Sequence, residues 1–232
     1  MKKIVALLFP VALAAVITGS IGCAKDGQLG NLKDFEGNVY KTIVIGEQTW
    51  MAENLKTTHY GDGTEVDGVK AYQNKEDNVA TYGRLYTFDA ATRNSETDKK
   101  GRIRGVCPKG WHIPTDADWK VLEKFLGMAD ADLDLIAWRG SAEGGMLKEE
   151  GTAHWATPNT DATNSSGFAA LPGGSFNPGL GYTSQTLTAY FWSSTTITET
   201  ESYGRVLQYI NGQIGRYPSG KDLAFSVRCI KN

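Results

Sequence analysis

The sequence predicts an α+β domain. Two observations carry that reading. Two helix signals come early, and the remainder of the chain after them alternates short β-rich runs with Gly, Asn, Pro and Ser turns. Composition agrees, since 27 glycines and 10% aromatics suit a loop-rich domain with many tight turns. No tandem repeat or low-complexity stretch interrupts the pattern.

Residues 1–22 read as a signal peptide. Lys2 and Lys3 form a positive start, and Ile4 to Thr18 is apolar. That run of 15 residues is short for a membrane span, which needs about 20, and Pro10 interrupts it. Ser20-Ile21-Gly22-Cys23 resembles a bacterial lipobox, although Ser20 stands where Leu or Val is usual. The resemblance implies lipidation at Cys23 and a membrane anchor. It places the protein in the cell envelope as an outer-membrane lipoprotein, facing either the periplasm or the outside. Residues 23–33 then form a tether, and residues 34–232 form one domain.

Within the domain, Val39 to Ile45 and Thr49 to Ala52 flank Gly46-Glu47-Gln48 and predict a hairpin. Tyr60 to Gly68 is turn-rich. Ala80 to Phe88 reads as a strand or as the start of a short helix near Asp89, and Arg93 to Arg104 as a polar surface loop. The clearest helix begins after Pro114. Thr115 is a good N-cap, and Asp116 and Asp118 suit the positive end of the helix dipole. Trp119, Leu122 and Leu126, with Val121 and Phe125 beside them, make one apolar face, and Gly127 ends it. A second helix is predicted from about Asp130 to Trp138. Tyr203 to Ile210 and Gln213 to Tyr217 flank Asn211-Gly212, the signature of a type I′ hairpin turn. Leu223 to Ile230 reads as the last strand.

Charge excludes one class of partner. Without residues 1–22 the formal charge is −4 (22 Lys and Arg against 26 Asp and Glu), and no basic stripe is present, so nucleic acid is not an expected partner. Besides Cys23 the cysteines are Cys107 and Cys229. A bond between them would tie mid-chain to the C-terminus, which suits an exported protein.

Several motifs occur in fixed order. The first are Gln48-Thr49-Trp50-Met51-Ala52-Glu53-Asn54-Leu55, Tyr82-Gly83-Arg84-Leu85-Tyr86, and Cys107-Pro108-Lys109-Gly110-Trp111-His112-Ile113-Pro114-Thr115. Then come Asn164-Ser165-Ser166-Gly167-Phe168, Leu171-Pro172-Gly173-Gly174, Phe191-Trp192-Ser193-Ser194 and Phe225-Ser226-Val227-Arg228-Cys229. Over about residues 34–231 this resembles the Fibrobacter succinogenes major paralogous domain family of exported lipoproteins in Bacteroidetes and Fibrobacteres. The resemblance implies a C-type-lectin-like fold with short antiparallel sheets, one or two helices and long loops, its termini meeting in a small sheet. It also implies a Cys107–Cys229 disulfide. The family's activity is largely uncharacterised.

Enzymatic chemistry finds little support. Relatives on the formylglycine-generating branch use a reactive cysteine pair, which a disulfide would consume here. His59, His112 and His154 show no helical metal-site spacing, and no Gly-x-Ser-x-Gly elbow exists. No cofactor is expected. A structural calcium, if bound, would sit at the oxygen-rich loops Asp62–Gly68 or Asn159, Asp161 and Asn164. Tyr203, Arg205, Gln208, Tyr209, Asn211, Gln213, Arg216 and Tyr217 crowd one hairpin, which reads either as an ordinary solvated hairpin or as a ligand-facing surface. Alternation puts Arg205, Leu207 and Tyr209 on one side, and Gly204, Val206 and Gln208 on the other. Trp192 reads as part core, part platform. The expected function is non-catalytic recognition of a glycan or protein ligand through Trp192, Tyr203, Arg205, Tyr209, Asn211, Arg216 and Tyr217. The alternatives are a structural or assembly role in the envelope or fimbriae, and an enzyme of the formylglycine-generating branch.

Overall fold

The computed structural model describes residues 30–232. The signal segment and Cys23 lie outside the described residues. Among the described residues, no helix is long and apolar enough to cross a membrane.

The first sheet joins both ends of the domain. Its spatial order is β1 (Gly30–Lys33), β2 (Val39–Ile45), β3 (Gln48–Met51), β14 (Ile230–Lys231) and β6 (Trp111–His112), all antiparallel. The expected β2–β3 hairpin forms around Gly46, whose φ of 60° is the left-handed turn conformation. Tyr40, Ile43 and Ile45 point into the core while Val39 and Val44 face out. Gly30–Lys33 were expected in the tether; they instead pair with β2, and Leu32 is buried. Cys107 and Cys229 form a disulfide with Cα atoms 5.9 Å apart, fixing β14 to the segment before β6. By loop entropy such a staple stabilises by roughly 4–5 kcal/mol before strain is subtracted.

A second sheet runs β4 (Val69–Lys70), β5 (Leu85–Thr87), β13 (Ala224–Phe225), β8 (Ser175–Asn177), β9 (Gly181–Thr183). Short helices α1 (Asp77–Tyr82) and α2 (Phe88–Thr92) flank β5. The expected last strand is therefore split between two sheets. Its middle is held by other partners. Ser226 accepts from Trp192 N–H and donates to the Tyr190 carbonyl, and Leu55 N–H donates to the Val227 carbonyl. Arg228, buried between Phe168 and Phe191, donates to the Asn54 side chain at 2.8 Å and to the Ala169 carbonyl at 2.8 Å.

The third sheet is β10 (Thr188–Thr196), β11 (Glu201–Gln208), β12 (Ile214–Gly220) and β7 (Ala137–Arg139). Helix α3 (Asp116–Phe125) packs across it, started by a capping box in which Thr115 and Asp118 satisfy each other's backbone N–H. Trp119 and Leu122 are buried as expected, but Val121 and Phe125 are exposed. The buried stripe runs through positions 116, 119, 122 and 123, so residues two places on from 119 turn away from it.

Two further expectations are corrected. The predicted helix from Asp130 to Trp138 is a series of turns leading into β7, because Arg139 is drawn inward by Glu123 and Leu135 and Ile136 stay exposed. The β11–β12 hairpin forms, but without the type I′ turn. Val206 pairs with Gly215, leaving a longer loop, and neither Asn211 nor Gly212 has positive φ. Tertiary contacts override the local signal. The ammonium of fully buried Lys148 donates to the carbonyls of Thr160, Gln208 and Asn211 at 2.8, 3.0 and 3.0 Å, and Gly145 N–H donates to the Gly212 carbonyl. Lys148 sits just after α4 (Glu143–Leu147), a helix without a clear sequence signal.

Candidate functional site

Each face of the third sheet has its own chemistry. On the α3 side, Arg205 and Arg216 project from paired positions on β11 and β12. Both are buried. Arg216 binds Asp116 through two bonds of 2.9 Å, and Arg205 binds Glu123 at 2.5 Å and lies 2.9 Å from Asp116. Arg139 joins the cluster through Glu123 at 2.8 Å. Burial alone would raise the pKa of Asp116, but Arg216, Arg205 and Lys120 hold it well below the usual carboxylate range. Tyr203 lies under the Arg216 guanidinium at 3.7 Å, and Tyr209 packs against the core. This face is an internal ionic layer.

The opposite face lines an open groove of about 440 Å³. Strand register puts four residues in a row across the sheet: Trp138 on β7 pairs with Gly215 on β12, Gly215 with Val206 on β11, and Val206 with Tyr190 on β10. Trp138 and Tyr190 thus stand on the same face of the sheet, three interstrand spacings of about 4.8 Å apart. Gly215 is buried beneath the Tyr217 and Trp138 rings, which need the space its missing side chain leaves. A Cβ there would sit 2.7 Å from the Tyr217 ring and 3.1 Å from that of Trp138. Without it, Tyr217 and Trp138 meet edge to face at 5.9 Å, while Tyr190 stacks on Phe225 at 5.0 Å.

Polar groups complete the groove. Gln208 and Thr188 stand at one end, and Ser175, Asn177 and Thr183 of the β8–β9 hairpin form a facing wall. Apart from the two tyrosines no lining side chain ionises, and burial pushes the Tyr217 phenol up, so it stays neutral. The fully buried tryptophans Trp50, Trp119, Trp155 and Trp192 all donate their indole N–H internally. The indole of Trp138, the hydroxyls of Tyr190 and Tyr217 and the side-chain amide of Gln208, all lining the groove, make no hydrogen bond to a described residue.

Of the expected contact residues, Tyr217 lies in the groove. Trp192 is core: its indole N–H donates to the Tyr86 carbonyl at 2.7 Å, and its rings pack on Phe88 and Phe225. Arg205 and Tyr203 belong to the ionic layer because the odd-numbered β11 residues turn toward α3, Arg216 joins it as the β12 partner of Arg205, and Tyr209, just past β11, packs beside the core. Asn211 is engaged in the loop, its side chain accepting from Gln213 N–H at 2.9 Å and its carbonyl from Lys148. The predicted alternation was right, and its other side faces the groove. Trp138 was hidden inside the expected helix. Tyr190 was separable from Phe191 by strand alternation alone.

The oxygen-rich loops are used in turns and ion pairs. Asp62 accepts from Arg93 at 2.6 Å and from Thr64 N–H at 3.0 Å, Asn159 donates to the Glu149 and Gly151 carbonyls, and Asn164 accepts from Ala169 N–H. Among the described residues no group of three His, Cys, Asp or Glu side chains is placed to hold a metal ion. His112 bridges Asp118 and Asn232 at 3.2 and 2.8 Å.

A domain of antiparallel sheets, closed by a disulfide and bearing an uncharged aromatic groove, defines the class. The sequence pattern of the Fibrobacter succinogenes major domain matches residues 43–231, and the chain belongs to that family. No curated protein and no solved structure matches it.

Proposed function

We propose that this protein is a non-catalytic recognition module of the cell envelope, anchored through Cys23, and that its ligand is a glycan held in the groove of Trp138, Tyr190 and Tyr217. One observation carries the reading: Trp138, Tyr190 and Tyr217 line one groove whose other side chains are uncharged, with hydroxyls and amides at its borders. Aromatic rings cover the C–H faces of a sugar, and amides and hydroxyls take up its polar edge. Charged ligands would find no counter-ion there. The meeting of both domain ends in one sheet and the long connecting loops support the C-type-lectin-like kinship. The disulfide argues against an enzyme of the formylglycine-generating branch, since it engages Cys107 and Cys229 and leaves no free thiol pair in the domain.

The test is a glycan-array screen of the disulfide-bonded chain, with the Trp138→Ala variant alongside. Binding by the parent that weakens about tenfold or more in the variant, as for a stacked anchor, supports the reading. A parent that binds no glycan, or a variant that binds as well as its parent, contradicts it.

A further inference from the structure

The groove does not end at the sheet. At Gly220 it adjoins a second hollow of about 800 Å³, bordered by Asp89, Glu199, Glu201 and Asp222. Through Asp89 and Asn94 that hollow adjoins a third of about 460 Å³, which adds Glu65 and Asp67. The cations bordering them, among the described residues, are Arg93 and Lys221, and both are engaged. Arg93 binds Asp62 at 2.6 Å and lies over the Tyr60 ring, and Lys221 donates to the Thr198 and Glu199 carbonyls. A ligand long enough to leave the neutral groove past Gly220 therefore enters a field of carboxylates.

We infer that the site sorts glycans by charge, holding a neutral oligosaccharide in the groove and turning away chains that carry uronate or sulfate groups. This rests on the groove being a glycan site. The groove supplies contacts that every sugar chain shares, and the carboxylate border supplies the discrimination. An anionic chain would meet Asp89, Glu199, Glu201 and Asp222, which outnumber Lys221, while Arg93 is ion-paired with Asp62. Like-charge juxtaposition suppresses wrong partners more than it alters the right one. The carboxylates are not contacts for the preferred ligand, so its affinity is insensitive to salt. The penalty on an anionic chain is screened as the Debye length shrinks.

The experiment uses backbone-matched polymers: dextran against carboxymethyl dextran, and xylan against glucuronoxylan. Affinities for the full chain are measured at about 20 mM and about 0.5 M salt, where screening lengths differ several-fold. The expected result is that the neutral member of at least one pair binds with little salt dependence. Its acidic counterpart binds about tenfold weaker or worse at low salt, a gap that narrows at high salt. The gap also narrows in the surface variant Glu199→Gln/Glu201→Gln/Asp222→Asn. An acidic member binding as tightly as its neutral partner at low salt would overturn the charge selection while leaving the glycan site intact. So would a gap that the triple variant leaves unchanged. Failure of every polymer at both salts would overturn the glycan reading itself, and this inference with it.

Discussion

One sheet presents two unlike faces. Toward α3 it buries three arginines against Asp116 and Glu123; toward the groove it displays Trp138, Tyr190 and Tyr217 with no ionised side chain. Alternation along β11 separates them residue by residue, Arg205 to one side and Val206 to the other. The buried charges are ion-paired, while the half-buried groove aromatics pack on other rings but leave their polar atoms without a described hydrogen-bond partner. That difference distinguishes groups that hold the fold from groups free to hold something else. Arginine and tyrosine are enriched in binding surfaces generally, yet here the arginines are interior.

Breaking the ionic layer should have the largest effect. Glu123→Ala would leave Arg139 and Arg205 buried against one fewer carboxylate and cost about 3–5 kcal/mol. For a domain of this size that lowers Tm by roughly 10 °C or more, readable by differential scanning calorimetry. Glycan affinity of the remaining folded protein should not change.

A smaller effect is expected at Gly215, where both stability and binding should move. Gly215→Val places carbon where the Tyr217 and Trp138 rings close over β12, and overpacking of this kind costs about 1–3 kcal/mol. Denaturant unfolding and glycan titration on one variant would check the pair of losses. Loss of binding with unchanged stability would show that the rings adjust without strain.

Acid should distinguish the faces most gently. The folded-state pKa of Asp116 lies below its unfolded value of about 3.9, so its contribution is whole above about pH 4 and is lost as pH falls through the folded value. Tm should therefore decline below about pH 4, less steeply in Asp116→Asn. Glycan affinity should stay flat between about pH 5 and 8, because the groove lining holds no group that titrates there.

How much was legible in the sequence depends on where each signal is decided. The β2–β3 hairpin and the start of α3 rest on local chemistry, Gly46 in the turn and Thr115 with Asp118 at the cap, and both appear as read. The disulfide came through the family resemblance and is present. The Asn211-Gly212 turn failed because Lys148, 63 residues before Asn211, holds the loop's carbonyls. The site was partly legible: alternation sorted β11 correctly, but which side meets α3 depends on Glu123, a charged residue buried where helix periodicity offers no apolar signal. Trp138 was out of reach, since β7 exists only through its pairing with β12.

The most direct measurement compares two tyrosines on opposite faces, Tyr190→Ala on the groove side and Tyr203→Ala on the α3 side. Both are titrated calorimetrically with a glycan bound by the parent, and melting curves confirm that each is folded. The account predicts about tenfold or greater loss of affinity for Tyr190→Ala and a Kd within about twofold of the parent for Tyr203→Ala. Affinity lost at Tyr203 and kept at Tyr190 would contradict it and return recognition to the face that α3 covers.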